Sequence, residues 1–168
     1  FKGKINFFLE DIPFSKCEIN SYWLAKTFGT KIYNEFKNKT VCCGGTILGN
    51  SNEIIEWLNL MDSLLNKYPF KKRLKYLITF RRDKNSRGSD QAHGNYIVYK
   101  NLFKNGHLYS NREGPIATVM YLKNITFNDK SQLLNGLGQP YSIVHQYDKR
   151  WSEFSEKVNL LKKGLKLI

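Results

Sequence analysis

The sequence predicts an α/β fold, a mixed sheet flanked by helices, on three observations. Apolar runs at residues 5–9, 40–49, 116–122 and 141–144 are short and rich in β-branched or aromatic residues, as strands are. Between them lie segments whose apolar residues recur at helical spacing, Ile54, Ile55, Leu58, Met61 and Leu65 most clearly. Gly-, Pro- and Asn-containing turns separate the two kinds of segment. With 168 residues, 41% hydrophobic and 14% aromatic, the chain reads as a single domain or domain fragment with a core of its own.

The first strand, 5–9, ends in Glu10-Asp11 and Pro13. Ser15 and Glu18 have capping-box spacing, which predicts a helix running to a stop at Gly29. A second helical piece is expected over 32–36. Residues 40–49 read as a buried strand containing the pair Gly44-Gly45; glycine there marks a bulge or a close approach to the backbone. Asn50 or Ser51 caps the next helix, which Tyr68-Pro69 ends. A basic, aromatic stretch at 70–82 contains a possible strand at 74–80, and 83–89 is a polar loop. Strands at 116–122, 125–127 and 141–144 follow. The last segment, 149–168, closes the chain as a basic amphipathic helix, with Trp151, Phe154, Val158, Leu161, Leu165 and Ile168 on one stripe. Such a helix docks on its own domain or lies on a membrane surface.

The formal net charge is +13, which raises nucleic acid and anionic membranes as partners. The excess is scattered lysine, arginine is sparse, and no recognised nucleic-acid motif accompanies it, so nucleic acid is not the expected partner. Cys17, Cys42 and Cys43 are odd in number and lack CxxC spacing, which suggests neither a zinc site nor a disulfide framework. A reducing, cytoplasmic compartment fits this best, with peripheral membrane contact or a Golgi lumen also compatible. No apolar run approaches the ~20 residues that span a bilayer.

Gly88-Ser89-Asp90-Gln91-Ala92-His93-Gly94-Asn95 concentrates a carboxylate, amides and an imidazole at the start of a predicted helix, with Ser89 or Asp90 as its cap. Unsatisfied N–H groups there favour an anionic ligand, although an ordinary capped surface helix has the same pattern. His145-Gln146-Tyr147-Asp148 follows the strand 141–144, at the end where ligand crevices of α/β sheets lie.

These pieces, in this order, resemble the C-terminal half of a GT-A-type nucleotide-sugar glycosyltransferase, including the retaining family 8 type. The resemblance is borne by Cys43-Gly44-Gly45-Thr46 before a helix, by Asp90-Gln91 with Asn95 beyond, and by His145-Gln146-Tyr147-Asp148. It implies that Asp90 accepts hydrogen bonds from donor-sugar hydroxyls and Gln91 lies near the anomeric carbon, as the catalytic pair. It implies a substrate-binding wall of Cys43, Gly44, Gly45, Thr46, His93 and Asn95. His145 would bind a divalent metal, Mn or Mg, on the donor's diphosphate. The partners implied are a nucleotide sugar and a glycan acceptor. The Asp-x-Asp of such enzymes is absent from the chain and is expected upstream of Phe1, so this portion alone is expected to be inactive or impaired, with its first strand at the edge of a larger sheet. The non-enzymatic rival is a basic module that binds nucleic acid, an anionic glycan or a membrane surface.

Overall fold

The structure, a computed structural model, describes residues 4–66 and 88–164, with the side chains of the last helix as far as Leu160. The strand expected at 74–80 and most of the loop before Gly88 lie outside the described residues. The coarse class is as expected: a small mixed sheet with helices against it.

Strand β1 (Ile5–Pro13) is the middle of a three-stranded sheet, not its edge. β2 (Thr40–Gly49) pairs with it antiparallel and β3 (Gly106–Tyr109) parallel. A central strand is covered on both faces: Ile5, Phe7 and Leu9 of β1 pack towards Trp57 and Ile97, while on the other face Phe8 stacks on Tyr109 between the buried polar residues Asn6 and Glu10. A separate parallel pair joins β4 (Ile116–Thr118) to β5 (Ile143–His145). The predicted strand at 116–122 stops early because residues 119–121 turn into a 3-10 helix, and 125–127 contributes only an isolated bridge from Phe127 to Leu133.

Helix α1 (Glu18–Phe36) contains both predicted helical pieces, broken at Gly29, whose φ of 84° no helix accommodates. The capping box does not form. Residues 14–16 make a 3-10 turn after Pro13, Ser15 donates its backbone N–H to the Lys37 carbonyl, and Cys17 becomes the N-cap. In α2 (Ser51–Asn66) the buried residue is Trp57, with Ile54, Leu60, Met61 and Leu64 half-buried around it. Ile55 and Leu58, expected inside, face outward because the indole of Trp57 against Phe7 sets the rotation of the helix.

Helix α3 (Ser89–Tyr99) lies across β2, with α1 on its far side. Phe28 of α1 stacks flat on Tyr96, ring centroids 4.1 Å apart. The final helix, α4 (Trp151–Gly164), buries Phe154 and holds Val158 against the β4–β5 cluster. Arg150 pins its start by donating to the carbonyls of Val119 and Leu122 and pairing with Glu153. Trp151, expected on the buried stripe, is 46% exposed. No described helix is long and apolar enough to cross a membrane.

Candidate functional site

The strand β2 leaves its ladder at the glycines. Phe7 pairs with Ile47 and Leu9 with Cys42, so the single residue Phe8 faces the four residues Cys43-Gly44-Gly45-Thr46. A bulge of this size bends the strand and frees backbone groups from their partner. It is the bulge that Gly44-Gly45 predicts.

Helix α3 supplies the missing partners. Gln91 accepts from the Gly44 N–H at 2.6 Å and donates to the Cys42 carbonyl at 2.7 Å. Asn95 accepts from the Cys42 N–H at 2.8 Å and donates to the same carbonyl at 2.9 Å. Tyr99 donates its hydroxyl to the Thr40 carbonyl. The three side chains are four residues apart, and the strand residues they bond, Gly44, Cys42 and Thr40, are two apart. The match is geometric: four helical residues rise ~6 Å and two strand residues ~6.6 Å, so one helix face can follow one strand edge. Burial, and then the neighbouring Cys42, push the Tyr99 phenol upward, which keeps it protonated and able to donate. An edge strand left bare would pair with another chain, and this helix covers it.

Each of the two glycines lies against a side chain from another element. A Cβ at Gly44 would strike Gln91 Oε1; one at Gly45 would lie 2.7 Å from His145 Cε1 and 2.8 Å from Nε2. His145 Nδ1 is 3.5 Å from the Cys43 sulfur. The close approach to the backbone that paired glycines announce is thus made here by Gln91 and His145. On either side of this contact along the chain, Thr46 Oγ1 and Gln146 Oε1 are buried without a hydrogen-bond partner among the described residues. Gln146 is held at φ 64°, a left-handed conformation uncommon outside glycine.

Cys43, Gly44, Gly45, Thr46, Gln91 and His145 therefore meet at one place. Asp90 is adjacent to Gln91 in the first turn of α3, and its side chain is exposed. His93 and Asn95 are elsewhere. At 2% and 1% exposure they are core residues, His93 edge-on to Phe28 with Nδ1 2.6 Å from the Ser89 carbonyl oxygen, and Asn95 on the β2 backbone. Neither offers a surface to a ligand, which corrects the expected substrate-binding role for both. Gln91 engages the β2 backbone with both ends of its amide, so it shapes the bulge. The cap of α3 is Gly88, at φ 80°, and not Ser89 or Asp90; a side chain at 88 would run into Trp23.

The cysteines are free and buried, as adjacent strand residues facing opposite sides should be. Burial pushes the Cys42 thiol upward, so it stays protonated. Among the described residues no three His, Cys, Asp or Glu side chains group to hold a metal ion. His145 is a single candidate ligand, and the described residues do not by themselves fit a divalent metal.

Two features escaped the sequence. One is the role of Tyr99, which continues the Gln91, Asn95 spacing. The other is a cavity of about 240 Å³ beside the second half of β1 and past the end of β3, lined by Glu10, Asp11, Thr40, Asn111, Arg112 and Lys123 among others. Glu10 is 4% exposed, and burial raises its carboxyl from 4.5 to about 7. Comparison with family models, curated proteins and solved structures matches none of them to this chain.

Proposed function

We propose that this chain forms the sugar-side portion of a nucleotide-sugar glycosyltransferase of GT-A type, acting on a glycan acceptor. The observation that supports the reading is the meeting of the bulge, the Asp90-Gln91 turn and His145, three segments far apart in sequence. In this reading the exposed Asp90 carboxylate accepts hydrogen bonds from donor-sugar hydroxyls, because an ionised carboxylate offers only acceptors and a sugar ring offers donors. Gln91 is a positioning residue that fixes the bulge against α3. His145, seated over Gly45, presents its ring edge to the donor's diphosphate side, and Thr46 and Gln146 supply the unspent polar atoms. Mn or Mg on the diphosphate would be held by His145 together with ligands from outside the described residues.

Asp90→Asn tests the assignment in the full-length protein. Its side chain is exposed and bonds nothing among the described residues, so the melting temperature is expected to stay within about 1–2 °C of the parent. Transfer from the nucleotide sugar is expected to fall by at least about 100-fold, the scale on which a positioned acid, base or polar group contributes. Unchanged turnover removes Asp90 from the site.

A further inference from the structure

The cavity beside β1, past the point where its parallel pairing with β3 ends, is a second polar site, separate from the glycine bulge. The carboxyl ends of parallel strands are where α/β sheets open a crevice, and β1 and β3 are the parallel pair of the main sheet. At about 240 Å³ it is larger than one structural water fills. Its walls carry both acids and bases: Glu10 and Asp11 on one strand, Arg112 and Lys123 facing them in sequence-distant segments. Asp11 accepts from the Lys123 backbone N–H, yet its Oδ2 is buried with no partner among the described residues. A buried carboxylate oxygen without a donor is costly, on the order of 1–3 kcal/mol or more, and a ligand that donates to it recovers that cost. The ligand needs donors for Asp11 and acceptors for Arg112, and it need bring no net charge. Hydroxyl groups meet all three conditions, since each both donates and accepts.

We propose that this cavity binds one ring of a neutral, polyhydroxylated ligand, with Asp11 Oδ2 accepting from a ring hydroxyl and Arg112 donating to another. The site has a direct link to the bulge. Asn111 lines the cavity and clamps Thr118 through both its N–H and its carbonyl at 2.9 Å, and Thr118 is the register partner of His145. Resting on the glycosyltransferase reading, the cavity is the seat of the acceptor sugar; as a binding site it stands on its own residues.

The test is saturation-transfer NMR on the full chain with glucose, galactose, mannose and N-acetylglucosamine, each alone and without nucleotide, and with glycine as a zwitterionic control. Transfer to at least one sugar is expected, falling at least about fivefold in Asp11→Asn and in Arg112→Ala, both with parental melting temperatures. Arg112 is exposed, so its replacement keeps the test open should Asp11→Asn fail to fold. No transfer to any sugar, transfer to glycine in place of sugars, or transfer unaltered in the variants overturns the proposal. Because no nucleotide is present, failure here leaves the Asp90 assignment standing, and failure of that assignment leaves the cavity standing.

Discussion

Replacing Asn95 by Leu is expected to lower stability by about 3 kcal/mol, a fall of roughly 6–12 °C in melting temperature for a chain of this size. Asn95 is 1% exposed, and its amide bonds the Cys42 N–H, the Cys42 carbonyl and the Gln91 carbonyl. Leucine keeps the branching at Cγ, though it is bulkier, and strands the Cys42 N–H in the core, where nothing described replaces the amide. The Cys42 carbonyl keeps its bond from Gln91, which is why the loss is not larger. Gln91→Ala is the informative companion. Its bond to Gly44 faces solvent, so water substitutes and the expected cost is about 1 kcal/mol. Denaturant unfolding of the two variants checks the order. Equal effects, or Gln91→Ala the worse, contradict an edge of β2 held chiefly by Asn95.

The second large effect is a gain. Glu10→Gln is expected to stabilise the fold above neutral pH by up to ~3 kcal/mol. Burial raises this carboxyl from 4.5 in the unfolded chain to about 7 in the folded one. Between those two values the folded state holds a proton that the unfolded state has released. Stability therefore falls as pH rises from about 4.5 to about 7 and levels off above. Glutamine carries no charge to desolvate, so its variant lacks this slope, and the two proteins converge towards pH 4. Urea midpoints taken at pH 4, 6 and 8 measure it. A parent that gains stability between pH 5 and 7 through this residue contradicts the burial account. The destabilising carboxylate lines the proposed sugar cavity, where a buried acid is a cost that a function explains.

Much of the scaffold is legible in the residues. The extent of β2, its bulge at Gly44-Gly45, the helix after Ser51 and the interruption at Gly29 all follow from apolar periodicity and glycine placement. Those signals are local and strong. The capping box at Ser15 fails because Pro13 and the pairing of Pro13 with Thr40 extend β1, and the chain enters α1 through a 3-10 turn. Trp57 is missed as the anchor of α2 because Ile55 and Leu58 fit a helical stripe equally well, and only Phe7 across the core decides the rotation. The spacing of Gln91, Asn95 and Tyr99 is plain, but their partners are 47 to 59 residues earlier, and nothing local distinguishes a helix face that grips a strand from one that grips a sugar. His93 and Asn95 read as site residues for the same reason: polarity marks a residue as purposeful without saying whether its partner is a ligand or the backbone. Glu10 and Asp11 read as a strand end, since two acids before a proline seldom continue into a core.

The central claim is that the bulge at Gly44-Gly45, the turn at Asp90-Gln91 and His145 together seat an activated sugar. Thermal unfolding of the full-length protein with manganese and UDP-, GDP- or CMP-sugars tests it most directly. One nucleotide class is predicted to raise the melting temperature by about 5–10 °C at a hundredfold excess over its dissociation constant, and Gly45→Ala, which pushes the His145 ring aside, to abolish the rise. No rise with any of the three classes, together with salt-sensitive RNA binding, would contradict the claim and assign the basic surface instead.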